Sequence, residues 1–291
     1  IDTNFNHSKL QDLFINPANS NDSFNLKKLS YKNAKNLQNY ALELSKNAKL
    51  IPSLIFKKID PKFYNDIDNL ILKTGLLKFN YFDLANQNSH ISDSIKLVSS
   101  AKVPLPYVDD TSFKIFKSYI GSQQHMAIII NPKKIKKTTN IRIHSACFTG
   151  DIFHSLKCDC GEQLNQSITY MSKNNGGIIL YLDQEGRGIG LANKMRAYSL
   201  QSRGLDTIDA DHNIGFLDDE RDFSVASKIL SLLNVKLVNI ITNNPLKISA
   251  IKKAGIKINN QVNTKPTINK YNKNYFKTRV KKTSYRLKIA V

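Results

Sequence analysis

The chain has 291 residues, 41% of them hydrophobic, which is enough to bury a real core and argues against wholesale disorder. No apolar run approaches the ~18 residues of a membrane helix, and Asn6, His7 and Ser8 stand where an export signal would need an apolar stretch, so a cytoplasmic chain with no membrane partner is expected. The net charge of +20 favours anionic partners, either a phosphorylated small molecule or nucleic acid.

Residues 30–51 read as a helix. Ser30 is a candidate N-cap, Ala34, Leu37, Ala41, Leu44 and Ala48 recur at helical spacing, and Pro52 would end it. Residues 16–22 and 86–93, rich in Asn and Asp, read as loops. The first hundred residues carry no catalytic motif and are expected to be a non-catalytic extension, dispensable for chemistry. The texture changes near Val103. Residues 127–130, 141–144 and 178–182 read as strands, and 235–242 as a β-rich run. Leu164, Ile168 and Met171 mark one face of a helix stopped by Gly176-Gly177, and residues 191–203, 223–233 and 245–254 read as further helices. Strands alternating with helices predict an α/β domain. Residues 261–291 hold nine Lys/Arg and no acid, interleaved with Tyr271, Tyr275, Phe276 and Tyr285, a pattern that would also suit nucleic acid.

All three cysteines, Cys147, Cys158 and Cys160, fall within fourteen residues, which points to a metal or redox site rather than a disulfide framework. Three thiolates suit zinc and leave one tetrahedral corner for water, whose pKa zinc lowers to about 7. A closed structural site with His144 or His154 as fourth ligand satisfies the same spacing. The run Gln184-Glu185-Gly186-Arg187-Gly188-Ile189-Gly190 lies between a strand and a helix. Its glycines would let backbone N–H groups approach an anion, and Arg187 suits phosphate. A plain tight turn explains a glycine run equally well. Glu185 could accept from the N–H edge of guanine or bind a metal. Asp218-Asp219-Glu220-Arg221-Asp222 reads either as a charged turn ahead of a helix or as a carboxylate base beside a phosphate-meeting arginine.

Taken together, several stretches resemble GTP cyclohydrolase II: His144-Ser145-Ala146-Cys147-Phe148-Thr149-Gly150-Asp151, Cys158-Asp159-Cys160-Gly161, Asp183 to Leu191, Asn213-Ile214-Gly215-Phe216 with Asp219 to Asp222, and Thr242-Asn243-Asn244-Pro245 with Lys247. The likeness runs from about Val103 to the C-terminus. It implies a mixed sheet with flanking helices, a catalytic domain at 101–265, an extension at 1–100 and a basic tail at 266–291. It implies zinc on Cys147, Cys158 and Cys160, and magnesium accompanying GTP. Asp219 matches the family's proposed base, Arg221 its proposed nucleophile toward the α-phosphate, and Tyr198 an active-site tyrosine. Arg142, Ile143, His144, Ser145, Ala146, Gln163, Glu185, Gly186, Arg187, Thr207, Thr242 and Lys247 match GTP-binding positions. A homodimer is implied, and nucleic acid is not an expected partner. Ala146 replaces a frequent Glu, and Ser284-Tyr285 a frequent Gly-His pair.

Overall fold

The computed structural model describes residues 35–56, 58–79, 91–106, 108–119 and 122–282, with the backbone alone for residues 279, 281 and 282. The N-cap expected at Ser30, the loop expected at 16–22, most of that expected at 86–93 and the Ser284-Tyr285 pair lie outside these residues. Among them no helix is long and apolar enough to cross a membrane.

The first helix, α1 (Asn36–Asn47), stops earlier than its apolar spacing predicts. Lys49 turns left-handed (φ 59°), its N–H donates to the Lys46 carbonyl at 2.9 Å, and the Leu50 N–H donates to the Ser45 carbonyl at 2.9 Å. These are the paired bonds of a Schellman motif, so the helix is closed by its own backbone before Pro52 is reached. A second helix, α2 (Ile67–Thr74), ends at Gly75, also left-handed.

Seven strands form one sheet: β1 (Lys96–Lys102), β2 (Thr111–Lys117), β3 (Gln124–Ile130), β4 (Thr139–Ser145), β5 (Gly177–Leu182), β6 (Leu237–Ile241) and β7 (Lys257–Val262), in the order β1-β2-β3-β5-β4-β6-β7. The β1–β2, β2–β3 and β3–β5 pairs are antiparallel, and the β5–β4, β4–β6 and β6–β7 pairs parallel. The sheet is therefore mixed, as the resemblance implies.

The parallel half is buried on both faces because crossover helices cover it. Along β5, Ile178, Leu180 and Leu182 enter one apolar cluster, which also takes Ile141, Ile143, Val238 and Ile240. Val225, Ala226, Ile229 and Leu230 of α7 (Ser224–Leu232) and Ile251 of α8 (Pro245–Lys253) close that face. Ile179 points the other way, toward Ile128, Ile130 and Met171, the last on α4 (Cys160–Lys173). The short helix α3 (Phe148–Asp151) precedes α4, and α5 (Leu191–Ser202) and α6 (Thr207–Asn213) follow β5. A third cluster, holding Ile189, Ala197, Leu200, Ala210, Ile214 and Phe216, ties α5 and α6 to the end of the glycine loop. The last described element is α9 (Lys273–Lys282), seated by the fully buried Phe276.

Candidate active site

Parallel strands gather their carboxyl ends on one edge of a sheet, and ligands bind in the crevice there. The segments leaving β4, β5 and β6 line a single cavity of about 680 Å³, a size suited to a small ligand. Its lining holds seven Lys/Arg (Arg142, Lys157, Arg187, Lys194, Arg221, Lys247 and Lys277) against four Asp/Glu (Asp159, Glu185, Asp206 and Asp211), so its field favours an anionic ligand.

At one end stand the cysteines. Cys147 leaves β4 at the start of α3, and Cys158 and Cys160 lead into α4. Their sulfurs lie within 4.8 Å of one another, with Cys147 and Cys158 3.7 Å apart. Thiolates on a tetrahedral ion with bonds of about 2.3 Å stand about 3.8 Å apart, so the trio fits such an ion. Gly150 packs directly against the cluster. A Cβ built on Gly150 would lie 2.8 Å from Cys158 Sγ and 3.0 Å from Cys147 Sγ. Hydrogen bonds from Cys158 and Cys160 hold the Cys147 thiol far below its ordinary pKa, and the Cys147 contact pushes Cys158 up to about 11. A bound cation would favour the thiolate form of all three.

Neither candidate histidine joins the cysteines among the described residues. His144 lies against Asp151, with Nε2 3.1 Å from both carboxylate oxygens. Asp151 also accepts from the Cys147 N–H at 3.0 Å and from the Tyr181 hydroxyl at 2.9 Å, so this one carboxylate orients the strand end that carries the first ligand. Burial lowers the His144 pKa, and its buried Nδ1 has no partner among the described residues.

The glycine loop bridges the two ends. Glu185 accepts from the Phe148 N–H and from Lys194 Nζ at 2.9 Å, and thereby anchors the loop to α3. Lys194 also reaches Thr149 Oγ1 at 2.9 Å and Cys147 Sγ at 3.1 Å. Burial disfavours its charge, but Tyr198, Cys147 and Glu185 more than offset that and raise its pKa. Tyr198, one turn further along α5, has its pKa pushed up chiefly by burial, so it keeps its proton. Gly186 and Arg187 are both left-handed (φ 63° and 60°). Arg187 donates to the Asp218 carbonyl at 3.2 Å and to Asp211 at 3.4 Å, and lies 5.5 Å from the Tyr275 ring centre of α9.

At the far end Arg221 forks onto Asp219 and reaches Ser145 Oγ at 3.3 Å. Arg142 donates to the Ile241 carbonyl at 3.0 Å and to Gln163, which itself donates to Asp159. Lys247 Nζ donates to the Ile143 carbonyl at 2.7 Å. Thr242 spends its hydroxyl on the Asn244 N–H at 3.0 Å, ahead of α8.

Of the expected substrate positions, Arg142, His144, Ser145, Ala146, Gln163, Glu185, Gly186, Arg187, Thr207, Thr242 and Lys247 line the cavity, as do Tyr198 and Arg221. Ile143 does not. Its side chain is fully buried in the sheet core, and only its carbonyl serves the site, through Lys247. Asp219 stands behind Arg221 rather than on the cavity wall. Sequence reasoning passed over Lys194 and Asp211. The signal for Lys194 was its place four residues before Tyr198, on the same face of the helix that follows the glycine loop. Asp211 carried none, since its contact with Arg187 spans twenty-four residues.

Three convergent cysteines and a basic wall sharing one crevice at the strand ends define a class: an α/β protein whose site suits a metal ion and an anionic small molecule. Residues 96–263 match the family described as GTP cyclohydrolase II. The chain is 41% identical over 196 residues to GTP cyclohydrolase-2 of Psychromonas ingrahamii, covering 67% of this chain and 94% of that one. It is 48% identical over 166 residues to GTP cyclohydrolase-2 of Aliivibrio salmonicida, covering 57% and 83%. It is 38% identical over 206 residues to the riboflavin biosynthesis protein RibBA of Endomicrobium trichonymphae, where it spans 71% of this chain and only 51% of the relative. The chain belongs to the GTP cyclohydrolase II family.

Proposed function

We propose that this chain hydrolyses GTP at two places, opening the imidazole ring with loss of formate and releasing pyrophosphate, to leave a diaminopyrimidinone ribosyl phosphate for riboflavin synthesis. The observation that carries this reading is a single cavity with three convergent thiols at one end and Arg187, Arg221 and Lys247 on its wall. Zinc on Cys147, Cys158 and Cys160 would supply hydrolytic power at neutral pH by acidifying water.

The chain's own residues do the rest. The base would lie toward the cysteines, where Tyr198 holds a proton and Lys194 a positive charge. His144, its Nε2 engaged by Asp151, would form part of the cavity wall at that end. Arg187, Arg221 and Lys247 would hold the phosphates together with magnesium. Arg221 stabilises charge there rather than attacking, because a guanidinium locked on a carboxylate is protonated and lacks a free lone pair.

The catalytic unit would comprise the sheet and its helices to residue 265, and the tail from 266 would close the phosphate side, where Tyr271, Tyr275, Lys277 and Thr278 line the cavity. Exposed Phe148, Ile152, Phe153 and Leu156 around the cysteines support a homodimer joined near the site. Incubating the protein with GTP, zinc and magnesium, then assaying formate and pyrophosphate, tests the reading. Pyrophosphate without formate, or neither product from a folded, zinc-loaded protein, overturns it.

A further inference from the structure

Residues 46–52 lie against the loops that carry the phosphate-end arginines. Lys49 Nζ donates to the Gly188 carbonyl at 2.6 Å, and Asn193 Nδ2 donates back to the Lys49 carbonyl at 2.9 Å. One turn earlier, Lys46 pairs with Glu220 at 2.9 Å, with the side chains only 13% and 15% exposed. Pro52 sits against Gly215, so closely that a Cβ there would come within 2.7 Å of its ring. Residues 46–52 therefore touch the glycine loop, the loop bearing Asp219 and Arg221, and the turn after α6. None of Lys46, Lys49 and Pro52 lines the cavity.

The two loops also bear on each other. The Glu220 N–H donates to the Arg187 carbonyl at 3.0 Å, and a Cβ on Gly188 would lie 2.8 Å from the Glu220 carbonyl. A left-handed non-glycine residue such as Arg187 persists only where its surroundings over-determine it. The cation on the carbonyl of the next residue is one such determinant.

Lys49 is an unexpected residue for its backbone position. It occupies the left-handed site just past α1, where glycine is the usual choice and an L side chain is strained. Burial also disfavours its charge and lowers its pKa. Local stability does not account for a lysine at this strained position, whereas the hydrogen bond from its ammonium to the Gly188 carbonyl does.

We propose that Lys49, backed by the Lys46–Glu220 pair, is a positioning residue that holds residues 185–190 and 217–222 so that Arg187 and Arg221 face the substrate phosphates. The proposal rests on the phosphate role assigned to those arginines above. It reverses the expectation that the first hundred residues are dispensable for chemistry.

The test uses the full chain, with Lys49→Gly, Lys49→Arg and, as control, the exposed Lys62→Ala. Glycine relieves the backbone strain while removing the ammonium. Lys49→Gly is expected to keep its Tm within about 3 °C of wild type. Its kcat/KM for pyrophosphate release is expected to fall about tenfold, the effect of losing one charge-assisted hydrogen bond to the loop. Lys49→Arg, which keeps the cation, should restore most of the activity, and Lys62→Ala should match wild type. Amide hydrogen exchange should quicken across 185–190 and 217–222 in Lys49→Gly alone. Exchange needs no turnover, so it stays decisive if wild type releases no pyrophosphate, an outcome that would count against the functional reading instead. Unchanged exchange in Lys49→Gly, or an activity loss that only tracks a fall in Tm and is not rescued by arginine, would overturn the proposal.

Discussion

Arg221 grips both carboxylate oxygens of Asp219, with Nε 2.7 Å from Oδ1 and NH2 2.5 Å from Oδ2. Burial raises the cost of the Asp219 charge, but the guanidinium outweighs burial and holds the carboxyl below its ordinary pKa. A carboxylate so held is a weak base, and a guanidinium so held is a weak nucleophile. The pair makes better sense as a fixed cation with its orienting anion than as a base and nucleophile.

Arg221→Ala is therefore expected to slow pyrophosphate release by about 10²–10³-fold, the usual loss when one charge-stabilising donor is removed. Asp219→Ala should lose less. The double variant should be no worse than Arg221→Ala, because two residues acting as a unit are not additive. Single-turnover rates from the four proteins settle the point, and additive losses would restore an independent base role to Asp219.

Replacing a ligand should separate the two hydrolyses. Cys158→Ser should bind little zinc and make no formate, because a serine hydroxyl is a poor ligand at neutral pH, while pyrophosphate release continues in part. Gly150→Ala should act the same way without replacing a ligand, since its Cβ would stand 2.8 Å from Cys158 Sγ. Metal analysis beside circular dichroism reads both effects. Normal zinc content in Gly150→Ala would mean that the cysteines yield more readily than their packing implies.

Asp211 should write a signature into the pH dependence of stability. Burial pushes its pKa from 3.8 to about 6, with Arg187 opposing the shift. Between those values the native state binds more protons than the unfolded state, so this group's contribution to stability falls as pH rises through that window. Asp211→Asn should remove the slope, seen as a change in the difference between urea midpoints at about pH 4 and pH 7. Parallel wild-type and variant curves would refute it.

Leu180 is fully buried on β5, the middle strand of the seven. Leu180→Ala should cost about 3 kcal/mol, within the range for leucine cavities, and lower the denaturant midpoint without changing the slope. A cost below about 1 kcal/mol would show that α7 and α8 collapse into the space.

Removing residues 266–291 should raise KM for GTP, because Tyr275 then no longer covers Arg187. RNA affinity should stay weak and unaffected. Tight, salt-sensitive RNA binding that the truncation abolishes would assign the basic tail to nucleic acid instead.

Some of this was written in the chain itself. The strand at 178–182 was legible because a strand buried on both faces is apolar throughout, and the run at 235–242 because it is rich in β-branched residues. The cysteine spacing announced a metal-type site because thiolates converge on little else. Other features belonged to the tertiary structure. β1 and β7, Lys-Leu-Val-Ser-Ser-Ala-Lys and Lys-Ile-Asn-Asn-Gln-Val, lie on the two edges of the sheet, where exposure removes the apolar pattern that would mark them. The end of α1 was set by a left-handed lysine that no propensity favours. Asp211 meets Arg187, Lys194 meets Cys147, and Lys49 meets Gly188 across 24, 47 and 139 residues. Local spacing records which residues share a helix face or a strand. It carries no record of which loops are pressed together, because that follows from how the sheet and its crossovers bury their apolar faces, and the polar contacts at the strand ends form wherever that burial leaves them.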